Sequence, residues 1–80
     1  ILLANYYKEY ELARTNYEKA IKLKSGYVEA YNNLANLLVE DYYKEYEQAR
    51  RYLEKAIELN LNEAIVYNSF ASLLIMDQYK

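Results

Sequence analysis

A 36-residue internal repeat is the feature that most constrains the fold of this chain. When the sequence is shifted by 36 residues, 22 of the 44 overlapping positions are identical, and no gap is needed. The longest identical block, Tyr-Tyr-Lys-Glu-Tyr-Glu, occurs at residues 6–11 and again at 42–47. A period of 20 to 50 residues is typical of stacked supersecondary units that bury their apolar faces against one another. The 80 residues are therefore predicted to form one segment of a repeat array.

Each period contains two stretches in which apolar residues recur every three or four positions, the spacing of an amphipathic helix. The first, named helix B, covers residues 8–24 and 44–60, and the second, named helix A, covers 27–40 and 63–76. The predicted segments are a partial helix A plus helix B at 1–24, a complete helix pair at 27–60, and a helix A opening a third repeat at 63–80. No stretch alternates with period two, so the chain is predicted to be all-α and at least two-thirds helical. Gly26 is expected to cap the first helix B in the left-handed conformation, and Asn62 to cap the second helix A.

The residues at the helix contacts resemble those of tetratricopeptide repeats. Helix A reads Tyr31-x2-Leu34-Ala35-x2-Leu38 and helix B reads Ala13-x3-Tyr17, with related patterns 36 residues later. The resemblance implies an α-solenoid of antiparallel helix pairs, a segment of a right-handed superhelix with helix A on its concave face. The repeat is 36 residues long instead of the family's usual 34, and the two extra residues fall in the corner between helix A and helix B. In this lengthening the chain resembles the Sel1-like repeats. Small residues are predicted at the close helix contacts, namely Ala35, Ala49, Ala56 and Ala71.

The composition excludes several classes of function. The chain contains no Cys and no His, so it lacks the residues of zinc fingers, thiol nucleophiles and Ser-His triads. A single Gly cannot build a phosphate-binding loop, and a net charge of −2 gives no basic footprint for nucleic acid. No apolar run reaches the roughly 18 residues of a membrane span, and the first residues lack a signal peptide's charged region. We predict a non-enzymatic, cytoplasmic protein without metal or cofactor.

The polar side of helix A is the predicted binding site, because the resemblance implies that this face lines a peptide-binding groove. Asn and Ser are mediocre helix formers, yet they cluster within helix A, whereas the interior of helix B holds only Asn16. The candidate groove residues are Glu29, Asn32, Asn33, Asn36, Glu40, Ile65, Asn68, Ser69 and Ser72. No Lys or Arg occurs in either helix A, which favours a neutral or basic peptide or protein partner. The alternative is that an Asn-rich composition places Asn at any polar position.

Two other functions remain open: a structural, self-assembling repeat segment, or the regulatory arm of a larger enzyme. The last helix A presents an apolar face to no following helix B in these 80 residues. The face is expected to be covered by the continuing chain, by another copy through self-association of uncapped ends, or by a different subunit. That face consists of Tyr67, Phe70, Ala71 and Leu74. Tyrosines also cluster where helix A meets helix B, at residues 6, 7 and 10 and again at 42, 43 and 46. They are interpreted as corner packing or, alternatively, as a contact patch for a partner.

Overall fold

The computed structural model describes residues 2–76, with side chains described from residue 7 onward. These residues form four helices and no strand: α1 (Leu2–Leu23), α2 (Val28–Leu38), α3 (Tyr46–Leu59) and α4 (Ala64–Leu74). The helices make up more than two thirds of the chain, which confirms the all-α prediction. Consecutive helices pack on each other, and α2 also contacts α4. Since α2 and α4 correspond to the predicted helix A, the A-type helices of neighbouring repeats lie side by side. Residues 77–80, assigned from the sequence to the third repeat, lie outside the described residues.

The predicted break between a short helix A remnant and the first helix B is wrong. Helix α1 is continuous from Leu2 to Leu23, so residues 2–7 extend the helix B that follows them. Neither Pro nor Gly occurs in this stretch, and Leu, Ala, Lys and Glu are all good helix formers. Local propensity therefore favours continuing the helix wherever no tertiary contact imposes a turn.

The second copy of the same hexapeptide adopts a turn. Residues 42–45 are not helical, and Lys44 takes a left-handed conformation with φ of 50°, before α3 begins at Tyr46. The amide of Glu45 donates to the carbonyl of Leu38 at 2.9 Å, which closes the turn behind α2. The hydroxyl of Tyr43 donates to the carboxylate of Glu11 in α1 at 3.0 Å. These contacts with α1 and α2 hold the turn.

The core lies where α2, α3 and α4 meet. Its buried members are Tyr31, Leu34, Ala35, Leu38, Ala49, Leu53, Ala56, Val66 and Leu73. Ala35, Ala49 and Ala56 are fully buried, as predicted for close contacts between helices. The prediction for Ala71 is wrong, because Ala71 is exposed. Its counterpart Ala35 is covered by α3, whereas no described helix covers that face of α4.

The helix ends also differ from the sequence-based expectations. Gly26 does not adopt a positive φ, and Asn62 does not cap α4, whose first turn has no side-chain cap. Instead, the Oδ1 of Asn60 accepts a hydrogen bond from the amide of Asn62 at 3.0 Å. In each A-type helix, a tyrosine hydroxyl donates a hydrogen bond to the backbone carbonyl of the residue six positions before it. Tyr31 donates to the carbonyl of Ser25 at 3.2 Å, and Tyr67 to that of Leu61 at 2.8 Å.

Candidate functional site

Helices α2 and α4 carry the predicted groove residues. Seven of the nine are exposed, namely Glu29, Asn33, Asn36, Glu40, Ile65, Asn68 and Ser72. Ser69 is half-buried, and its hydroxyl accepts a hydrogen bond from the Nδ2 of Asn36 at 3.3 Å. This bond joins the polar faces of the two helices. The structure therefore brings residues from separate repeats onto one surface, as a solenoid groove requires.

A cavity of about 300 Å³ lies between the N-terminal halves of α2 and α4. Its lining residues are Val28, Glu29, Asn32, Asn33, Glu63 and Ile65. Four of these were predicted from the sequence, and Val28 and Glu63 were not. The sequence could have indicated Glu63, since it stands at the start of a helix A beside the predicted Ile65. The lining contains two carboxylates and no basic side chain, so the cavity is acidic.

Asn32 differs from the other candidates because it is buried, with only 2% of its surface exposed. Its Oδ1 has no hydrogen-bond partner among the described residues. A buried polar atom without a partner costs about 1–3 kcal/mol, so such atoms are uncommon in folded proteins. Asn32 is also among the residues that line the cavity, although its Oδ1 atom itself is buried.

A second cavity, of about 500 Å³, lies on the other side of α2, between α2 and α1. Its lining residues are Glu9, Tyr10, Ala13, Tyr17, Asn33, Asn36, Leu37 and Glu40. Three predicted groove residues border this cleft, and Asn33 borders both cavities. Asn68, Ser69 and Ser72 border neither cavity. The single groove predicted from the sequence is therefore two concavities separated by α2.

The tyrosine cluster packs at the corner between α1 and the turn after α2. Tyr7 and Tyr42 stack with ring centroids 4.5 Å apart, and Tyr10 meets both rings edge-on. Burial raises the pKa of Tyr43 to about 12, and its hydrogen bond to Glu11 acts in the same direction. The pKa of Tyr42 is also raised, chiefly through a hydrogen bond to Glu11. These contacts support the interpretation as corner packing.

Other kinds of site lack support in the described part of the chain. Within residues 2–76, no group of three or more acidic side chains is placed to hold a metal ion. No helix formed by these residues is long and apolar enough to cross a membrane.

Comparison with known protein families identifies the repeat. Residues 6–41 match the family model described as TPR repeat, so this part of the chain is a tetratricopeptide repeat. The 36-residue self-similarity extends the same pattern to the second copy. The match does not confirm the Sel1-like character. No curated protein and no solved structure shows significant similarity to the chain. Tetratricopeptide repeats generally mediate protein–protein interactions and are typically non-catalytic.

Proposed function

We propose that this chain is a non-enzymatic, cytoplasmic module that binds an extended segment of a partner protein along the shared face of α2 and α4. The observation that carries the proposal is the cavity between these helices, whose lining includes Asn32 with its buried Oδ1, an atom without a partner among the described residues. A ligand N–H reaching this atom would satisfy an acceptor that the fold leaves unpaired. Because this atom is buried, such a contact requires the surrounding side chains to move.

The exposed amides supply the remaining contacts. Asn33 on α2 and Asn68 on α4 are both exposed, and each amide offers two donors and an acceptor. An extended peptide presents backbone N–H and C=O groups along its length, which match this mixture. Asn36 is already bonded to Ser69, so it serves first to join the two helices.

Charge favours a neutral or basic ligand. Glu29 and Glu63 line the cavity from opposite helices, and the lining includes no Lys or Arg. A carboxylate-bearing ligand would meet like charge there, while a Lys or Arg side chain would meet complementary charge. We therefore expect selected peptides to be enriched in Lys and Arg and depleted in Asp and Glu.

The proposal is tested by selecting binders from a random 12-residue peptide library and measuring their affinity by fluorescence anisotropy. The variant Asn33→Ala with Asn68→Ala should bind at least about tenfold more weakly, since two amide contacts of about 1 kcal/mol each are lost. The matched control is Asn16→Ala, which changes an exposed Asn on α1 whose Nδ2 bonds its own helix at Leu12. Equal affinity of all three proteins would contradict the proposed face.

A further inference from the structure

Three residues that line the cavity between α2 and α4 carry hydrogen-bond acceptors without a donor. The carboxylates of Glu29 and Glu63 form no ion pair and no side-chain hydrogen bond with another described residue. The third acceptor is the buried Oδ1 of Asn32, which has no partner among the described residues. Most other glutamates of the described chain do bind a Tyr, Arg or Lys side chain, namely Glu11, Glu18, Glu40, Glu45, Glu54 and Glu58. The unused acceptors therefore favour a ligand group that is positively charged and carries several N–H donors.

The position of the two glutamates at helix starts does not account for the whole cluster. Acidic side chains are favoured there by the helix dipole, which explains Glu29 in the first turn of α2 as well as Glu47 in that of α3. Glu63 precedes α4, yet no side chain caps that helix. Asn32 lies beyond the first turn of α2, so the dipole gives no reason for an acceptor at this position.

The charge of the cavity remains negative when the helix dipoles are included. A helix start is equivalent to about half a positive charge, so the starts of α2 and α4 together offset about one of the two carboxylate charges. The lining contains no Lys or Arg that would offset the other. A cation is therefore attracted to this cavity.

The size and the apolar walls of the cavity match one long side chain. Its volume of about 300 Å³ lies at the lower end of the range for small-molecule pockets. Val28 of α2 and Ile65 of α4 contribute apolar surface to the lining, and Ile65 is 56% exposed. Lys and Arg side chains lay their methylene groups along apolar surface while the charged end contacts polar groups.

We infer that the cavity between α2 and α4 is a subsite for one arginine side chain of the bound segment. This inference rests on the proposed function, because it assigns one residue of the ligand to the same α2–α4 face. The methylene groups of the arginine pack on Val28 and Ile65, and its guanidinium lies between the carboxylates of Glu29 and Glu63. One further N–H reaches the Oδ1 of Asn32 once the surrounding side chains move.

The acceptors select arginine over lysine. A guanidinium carries five N–H donors in a planar fork, so it can serve acceptors on several sides at once. An ammonium has three donors around a single nitrogen and is more strongly hydrated. Because the Oδ1 of Asn32 is buried, the group that reaches it must give up water, which a guanidinium does more readily.

Three synthetic pentapeptides test the subsite by nuclear magnetic resonance of the isotopically labelled 80-residue chain. Each is acetylated and amidated and carries one Arg, Lys or citrulline between two pairs of Ala. Citrulline has nearly the shape of arginine without its charge. We expect the Arg peptide to shift the side-chain amide signal of Asn32 in a saturable way. The Lys peptide should bind about threefold more weakly and the citrulline peptide at least about tenfold more weakly, since ionic hydrogen bonds are lost.

Charge-neutral variants locate the bound guanidinium. Glu29→Gln and Glu63→Gln should each weaken binding of the Arg peptide about two- to fivefold, the range for one partly exposed ion pair. Glu47→Gln is the matched control, because Glu47 is also an exposed glutamate in the first turn of a helix and lies outside the cavity. It should bind the Arg peptide like the wild type, and circular dichroism shows whether each variant is folded.

The outcomes separate this subsite from the proposed function. An Arg peptide that does not bind, or that binds no better than the Lys and citrulline peptides, overturns the subsite. Equal losses in folded Glu29→Gln, Glu63→Gln and Glu47→Gln overturn it as well. In either case the proposed function still stands if peptides from the random library bind the α2–α4 face. If the library yields no such peptide while the Arg pentapeptide binds as expected, the subsite stands and binding of an extended segment is contradicted.

Discussion

Arg14 donates hydrogen bonds from both terminal guanidinium nitrogens to the two carboxylate oxygens of Glu45, at N–O distances of 2.8 and 3.3 Å. Arg14 belongs to α1 and Glu45 precedes α3, so the pair joins the B-type helices of successive repeats. The guanidinium also lies 4.9 Å from the centre of the Tyr43 ring. The hydrogen bond to Glu45 raises the pKa of Arg14, with Glu18 acting in the same direction, so the charge persists throughout the accessible pH range. These contacts fix the corner where one repeat meets the next.

Removing the charge of Glu45 should destabilise this corner. We expect Glu45→Gln to lower the free energy of unfolding by about 1 kcal/mol, the upper end for a partly exposed pair with two-nitrogen geometry. Glu54→Gln, which removes an exposed pair within α3, should cost less, about 0.3 kcal/mol. Urea unfolding at low and high salt measures both values. Equal losses for the two variants would show that the Arg14–Glu45 pair does not hold the repeats together.

Packing at the crossing of α2 and α3 predicts a contrast between two equivalent alanines. Ala49 is fully buried, so Ala49→Leu should overpack the crossing and cost about 1–3 kcal/mol. Ala13 occupies the same position one repeat earlier and is only half-buried, so Ala13→Leu should cost little. Thermal denaturation at low protein concentration compares them. A neutral Ala49→Leu would mean that the crossing lies elsewhere.

The raised pKa of Tyr43 predicts that the folded state loses stability at alkaline pH. The ordinary pKa of a tyrosine is about 10, and in the fold that of Tyr43 is raised to about 12. Because the folded state binds this proton more tightly, the contribution to stability is complete below pH 10. It is lost as the pH rises from about 10 to about 12. Tyr43→Phe should remove this part of the pH dependence.

The measurement is chemical denaturation at a series of alkaline pH values, with tyrosinate absorbance followed in parallel. In the wild type the last of the twelve tyrosines to ionise should include Tyr43. Glu11→Gln should lower the pKa of Tyr43 part of the way, since burial, the larger cause, is unchanged. A titration curve that Tyr43→Phe leaves unaltered at its alkaline end contradicts the assignment.

Asn32 predicts a conflict between stability and binding. Replacing it by Leu removes the unpartnered Oδ1 and projects apolar atoms toward the neighbouring cavity, so the chain should gain about 1 kcal/mol. In a domain of this size, that raises the midpoint of thermal unfolding by about 4–8 °C. Peptide affinity should fall at the same time. The control Asn33→Leu, at an exposed position, should bring no gain in stability, and a destabilised Asn32→Leu would show that the amide is structural.

The regular part of the fold could be predicted from the sequence. The 36-residue period and the three- and four-residue spacing place α2, α3 and α4 within about two residues of their ends. The buried alanines at 35, 49 and 56 also follow from the pattern, because close helix crossings require small side chains. These features depend on interactions that repeat along the chain.

The irregular part could not be predicted, since it depends on tertiary context. One hexapeptide is helical at residues 6–11, while its second copy contains the turn around the left-handed Lys44. No local rule distinguishes the two copies. The burial of Asn32 could not be predicted either, because the equivalent residue of the next repeat, Asn68, is exposed. Sequence periodicity assigned both to the polar face, and only the packing of α4 beside α2 covers the first.

The most direct test of the proposed binding face is a nuclear magnetic resonance titration that follows the side-chain amides of asparagine. The probe is the tightest synthetic peptide obtained from the random library, added to the isotopically labelled chain. We predict that the amide signals of Asn33, Asn36 and Asn68 shift in a saturable way, while that of Asn16 on α1 does not move. A peptide that shifts the signal of Asn16 and leaves those of Asn33 and Asn68 unchanged would contradict binding on the α2–α4 face, since binding would then use another surface.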